Sequence, residues 1–186
     1  MSGHGHIEGS NKNIAVLIAC LAAVLAFTEV GAKSSQTDVL GQHIEASNLW
    51  NFYQAKTIRQ TVLRTSADGL EAQYKETGNM PAAASAQATQ WKRTADRYES
   101  EPQTGKGEGR KELMSRALEH EKKRDKAQSA YHLFEYGSAA LQLAIVLASA
   151  AAVTTVMWLA YVAGGLGVVG AILMLIGFIA PTLVHL

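Results

Sequence analysis

Polar and apolar positions are segregated along this chain rather than mixed. Residues 14–28, IAVLIACLAAVLAFT, carry no charge, and neither does the run of 48 residues from Gly137 to Val184. Between them, residues 33–135 hold sixteen of the seventeen Lys and Arg residues and fourteen of the sixteen Asp and Glu. A helix needs about 20 predominantly apolar residues to cross the hydrocarbon core. The pattern predicts an all-α integral membrane protein with three transmembrane helices and a long, coiled-coil-like helical stalk. A flexible tail at 1–12 leads into the first span at 13–31. The second and third spans are expected at 137–161 and 165–184, divided at Val162-Ala163-Gly164-Gly165 because paired glycines favour turns. Pro181 suits a helix that is finishing.

The first apolar run also has the length of a signal-peptide core. Against that reading, the preceding residues set only Lys12 against Glu8, and Glu29-Val30-Gly31-Ala32-Lys33 matches a cleavage site loosely. An uncleaved span is expected. Three spans put the termini on opposite sides. Lys33, Lys122, Lys123, Arg124 and Lys126 flank the spans on the side of the middle segment. Positive charge of this kind marks the cytoplasmic side, so the middle segment and C-terminus should face the cytoplasm of a bacterial inner membrane, with the N-terminus outside.

The middle segment, 32–136, reads as helix at about 36–77, 82–99 and 110–136, with a linker at 100–109. ETGNMP (76–81) supplies the first stop, and SEPQTGKGEG (100–109) is rich in glycine and polar residues. From Arg110, the positions Leu113, Ala117, His120, Arg124, Ala127, Tyr131, Phe134, Ser138 and Leu141 alternate steps of four and three. That is the spacing of a narrow packing seam. It runs from charged sequence into the apolar run without a break, so one helix should connect them.

The stretch SNLWNFYQAKTIRQ (47–60) is harder to place. Wound at 100° per residue from Ile44, Ala55, Phe52 and Leu63 fall at about 20°, 80° and 100°, but Arg59 and Lys56 fall at about 60° and 120°. There is no clean apolar stripe, which argues against a helix lying flat on the bilayer. A helix apolar on most sides is usually buried on most sides, and neighbouring copies could supply the missing surface. Trp50, Tyr53, Gln54, Lys56 and Arg59 are therefore read as packing and oligomer contacts. An anion site built from the same five residues is the alternative.

The run HIEASNLWNFYQAKTIRQTVLR (43–64) resembles the signature of a family of bacterial membrane proteins known only as a domain of unknown function. Its core is W-x-x-Y-Q-A-K-x-x-R, here Trp50, Tyr53, Gln54, Ala55, Lys56 and Arg59. The segment KNIAVLIACLAAVLAFTEVGAKSSQT and the two C-terminal apolar spans look similar too, so the resemblance covers most of the chain. It implies three membrane helices with a helical middle, and no activity.

Other chemistry is sparse. A charge of sixteen cations against fourteen anions in 33–135 lacks the basic excess that nucleic acid demands. His4, His6 and Glu8 have metal-binding side chains, but their spacing on a tail fixes no geometry. Glu29 and Lys33 are spaced for an i,i+4 pair. His185 near the C-terminus is expected to be solvated, and Cys20 offers no disulfide. GGLGVVG (164–170) lacks the lysine of a phosphate loop, and no spacing nominates a nucleophile and base. No enzyme activity, cofactor or metal is expected.

The spans carry ridges of small residues: Ala140, Ala144, Ala148 and Ala152, then Ala163, Gly167 and Ala171. Small residues at this spacing let helix backbones approach closely in lipid. Ala144, Ala148 and Gly167 are the expected contacts, within the chain and between copies. The leading expectation is a homo-oligomeric membrane scaffold whose partners are the bilayer and itself. An accessory subunit of a larger membrane complex, meeting another membrane protein, is second. A channel is third, because Thr28, Gln142, Ser149, Thr154 and Thr155 line no single helix face.

Overall fold

The computed structural model describes residues 5–101 and 107–183, with side chains from Lys12 onward. It contains four helices and, among the described residues, no strand: α1 (Gly5–Lys75), α2 (Ala82–Glu99), α3 (Arg110–Thr154) and α4 (Met157–Ile179). Three of them, α1, α3 and α4, are long and apolar enough to cross a membrane. From Gly5 on, the tail, the first span and the first helix of the middle segment form one element. α1 is helical from Gly5 and continues unbroken through residues 32–35. It contains no proline, and single glycines cost only about 1 kcal/mol each in a helix interior. His4 lies outside the described residues, as do the side chains of His6 and Glu8.

α1 stops where its sequence loses side-chain support for the helix. Gly78 takes the left-handed conformation, φ +62, and its N–H bonds to Tyr74 O at 3.1 Å. Pro81 then precedes α2 with the backbone fixed in an extended form.

The chain forms two compact units. The first combines α1 up to Leu40 with the chain from Lys123 onward. Its core is Ile14, Leu21, Leu141, Ala144, Ala148, Ala151 and Ala163. Glycines let the helices meet closely. A Cβ on Gly170 would lie 3.0 Å from Gly137 O, and one on Gly167 would collide with Leu21. Phe134, 2% exposed, occupies a slot lined by Gly31 and Gly177. The Phe178 ring closes it edge-on, centroid to centroid 4.7 Å.

The break between the last two helices corrects the expected one. It falls at Thr155–Val156, not at Val162–Gly165, so α3 ends at Thr154 and α4 runs straight through Gly164 and Gly165. Thr155 adopts φ +58, and the threonine hydroxyls stitch the corner. Thr154 Oγ1 donates to Ala150 O at 2.8 Å and accepts from Val156 N at 3.4 Å, while Thr155 Oγ1 donates to Thr154 O at 2.6 Å. Side chains that bond nearby backbone compete with helix continuation. The glycines stay helical because an apolar segment must satisfy its backbone internally.

The second unit, Gly41–Lys122, packs the rest of α1 against α2 and the start of α3. Leu49, Leu113 and Ala117 form its apolar centre, with Trp50 and Tyr53 against them. Ala67, Ala88 and Ala95 are fully covered as well. Along α1 the buried positions Ile14, Leu21, Thr28, Ser35, Leu49 and Lys56 recur at multiples of seven residues. Ala46, Gln60 and Ala67 fall on the companion register. Within the chain, full burial of residues 44–64 is confined to this narrow inward seam. Two of its members, Lys56 and Gln60, are polar, so hydrophobicity alone does not mark it.

Candidate functional site

Polar side chains are gathered inside the second unit at one place. Gln60 is 3% exposed on the inward seam of α1. Its Nε2 donates to Ala95 O and to Glu99 Oε2, each at 3.0 Å, which ties α1 to the end of α2. Arg110, the first residue of α3, brings in the third helix. Its Nη1 donates to Gln60 Oε1 at 2.5 Å and to Glu99 Oε2 at 2.9 Å. Its Nη2 donates to the Tyr53 hydroxyl at 2.9 Å, and the guanidinium carbon sits 4.9 Å from the centroid of that ring. Arginine suits this role because its planar fork can satisfy several acceptors at once. One atom is left over: the buried Arg110 Nε has no partner among the described residues.

Lys56 is 4% exposed a turn away from Gln60. Its Nζ lies 5.1 Å from the centroid of Phe52 and 5.7 Å from that of Tyr98, with Glu108 Oε2 at 4.0 Å. The ammonium is thus held by ring faces more than by a carboxylate, since Glu108 is itself largely exposed. On the other side, Trp50 Nε1 donates to Glu121 Oε1 at 2.9 Å and meets the Tyr53 ring edge-on at 5.4 Å. His120 Nδ1 lies 2.8 Å from Gln42 Oε1. The two poor seam residues thus differ, His120 reaching Gln42 and Arg124 turning to Asp125 at 2.7 Å.

The turn into α3 is built from glycines and one carboxylate. Gly107 has φ +62, and a Cβ on Gly109 would strike the Glu112 carboxylate and Ser100 Cα. Glu112 accepts from Ser100 Oγ at 2.5 Å and from Glu101 N at 3.3 Å. The hydrogen bond from Ser100 holds the Glu112 carboxyl below the usual glutamate range. The bond from Gln60, with Arg110 nearby, does the same for Glu99. A depressed carboxylate contributes stability at pH values above its unfolded pKa, and the contribution is lost as pH falls through the folded one. The second unit should therefore melt earlier on acidification below the ordinary glutamate range. Glu99→Gln should flatten that dependence in circular-dichroism melts. An unchanged acid slope would remove Glu99 from the account.

Of the sequence-selected residues, Trp50, Tyr53 and Lys56 are brought together, whereas Gln54 and Arg59 point outward and are exposed. Ala144, Ala148 and Gly167 lie in the other unit and are buried within the chain. Sequence reading missed Gln60, Glu99 and Arg110. The available signal was spacing, because Tyr53 and Gln60 are seven residues apart on the inward register. The cluster binds its own members: apart from the buried Arg110 Nε, the amide and guanidinium donors of Gln60 and Arg110 meet acceptors on other helices, as in a structural knot. Among the described residues no group of three or more His, Cys, Asp or Glu could hold a metal ion.

Residues 10–180 match a family model described as a domain of unknown function, DUF4337. No curated protein and no solved structure matches the chain.

Proposed function

We propose that this chain, which belongs to the DUF4337 family, is a non-enzymatic membrane scaffold that works as an assembly of identical copies. What supports the reading most is apolar surface left over after the chain has packed on itself. The inward seam of α1 is satisfied by α2 and α3, yet Ile44, Ile58 and Val62 on the same helix stay 57%, 65% and 57% exposed. All three belong to the second unit, in the charged middle of the sequence, where lipid contact is not the natural account of them. Single exposed apolar residues are ordinary, but Ile58 and Val62 lie one turn apart with Ile44 further along the same face, and such a set supports an interaction surface. The polar knot supports the same view, because Arg110, Glu99, Gln60 and Tyr53 direct their hydrogen bonds to one another. The small residues of the spans are likewise engaged inside the chain, which moves the expected contact between copies to α1.

Native mass spectrometry of detergent-solubilised protein is the test. It should show more than one copy; a clean monomer sinks the scaffold. A stoichiometric second protein recovered from native membranes would instead favour the accessory-subunit reading.

A further inference from the structure

Eight residues of α1 in the second unit, all but one of them exposed, fall on a second heptad line. Ile44, Asn48, Asn51, Ala55, Ile58, Val62, Thr65 and Gly69 alternate steps of four and three. At about 100° per residue this line lies roughly 150° round the helix from the inward seam. Every member is exposed except Ala55, which is half-buried. No member is charged. Gly41 and Gly69, at the two ends, face open space: a Cβ on either would meet nothing within 4 Å. So, besides its inward seam, α1 carries an uncharged line that its own chain leaves largely uncovered.

We infer that the second line is the contact with a second copy of this chain, with the two α1 helices parallel and in register. The inference rests on the oligomeric reading above and names its surface. Three features select a like partner. In a parallel, in-register pair each line residue meets its own counterpart, so Ile44, Ile58 and Val62 bury apolar side chains against the same side chains. Asn48 and Asn51 then face Asn48 and Asn51, and an amide both donates and accepts, so each can pair with its copy. A polar residue inside such a line sets register at some cost in stability. An unrelated apolar partner would leave both amides unpaired.

The flanking residues agree. Parallel heptad pairing brings a residue beside the line opposite the one five positions later on the partner. The resulting pairs are Leu40 with Glu45, Ser47 with Phe52, Gln54 with Arg59, Thr61 with Ser66, and Asp68 with Gln73. None sets like charges together. Gln54 and Arg59, exposed within the chain, acquire each other: the Gln54 carbonyl oxygen can accept from the Arg59 guanidinium of the other copy. This gives the outward members of the W-x-x-Y-Q-A-K-x-x-R core a use.

Disulfide trapping in membranes tests the geometry, in a Cys20→Ser background because Cys20 is exposed. Ile44→Cys and Ile58→Cys, made separately, should each give a dimer band on mild oxidation, and Arg93→Cys on the outer side of α2 should not. Only parallel, in-register helices bring both positions next to their own copies. One dimer without the other overturns the proposal. Ile58→Lys should leave helix content unchanged and lose the higher copy number in native mass spectrometry. Several copies that trap at neither cysteine overturn the surface but spare the scaffold. A monomeric wild type overturns both.

Discussion

Replacing Gly177 by leucine should unseat Phe134 and detach α4 from the first unit. A Cβ at Gly177 would lie 2.9 Å from the Phe134 ring, closer than side-chain carbons come. The ring has little room to shift, because it is 2% exposed and also lies against Gly31, where a Cβ would come within the same 2.9 Å. Overpacking of ordinary cores costs about 1–3 kcal/mol. Here the leucine side chain has to displace the buried Phe134 ring. In lipid there is no apolar driving force to bring separated helices back together, so close packing carries the association. Gly165→Leu is the internal control, since a Cβ there meets nothing within 4 Å. In detergent thermal melts Gly177→Leu should fall well below wild type while Gly165→Leu stays near it. Adding Phe134→Ala to Gly177→Leu should recover part of the loss. If the two leucine variants melt alike, the slot does not hold the unit together.

Trp50→Ala is the second large effect, and the structure changes what it should affect. Trp50 packs inside its own chain, against the centre formed by Leu49, Leu113 and Ala117, and its indole N–H is bonded to Glu121. Removing it takes away a large aromatic contact between α1 and α3, the edge-on pair with Tyr53 and one charge-assisted hydrogen bond. Trp→Ala in a core costs about 3–5 kcal/mol. Trp50 is half-buried, so the low end applies. Trp50→Phe keeps most of the packing and drops the bond, whose worth is about 1.5–3 kcal/mol when one partner is charged. The order in melting temperature should be wild type, Trp50→Phe, Trp50→Ala. Equal melting of all three would refute the contact. Ile58→Lys, exposed on the same helix and away from its inward seam, should do the reverse and change copy number while sparing the melt.

Much of this architecture is legible in the sequence because lipid and helix geometry impose coarse rules. Charge-free runs near membrane length give the three apolar helices. The less legible parts trace to the signal that each residue carries. Gly164-Gly165 advertises a turn, but inside an apolar segment the backbone has no water to turn towards, and the threonines at 154 and 155 supply the real corner. Lys56 and Gln60 hide the inward seam of α1 because a buried lysine between aromatic rings looks, in sequence, like a surface residue. Arg110 is hidden for another reason: its partners Tyr53, Gln60 and Glu99 are 57, 50 and 11 residues away. Of the signature positions, the sequence marks the set, and only the fold sorts Trp50, Tyr53 and Lys56 inward from Gln54 and Arg59 outward.

The corner at Thr154–Val156 bears on how the chain enters a bilayer. A pair of apolar helices that inserts together must drag its tip through hydrocarbon, and a tip with charged or unpaired polar groups resists that passage. This tip is two residues between α3 and α4, carries no charge, and returns both threonine hydroxyls to carbonyls of its own chain. The heaviest barrier to translocation is thereby avoided in the fold itself. The apolar end of α3 and α4 are suited to enter as one hairpin with an uncharged tip.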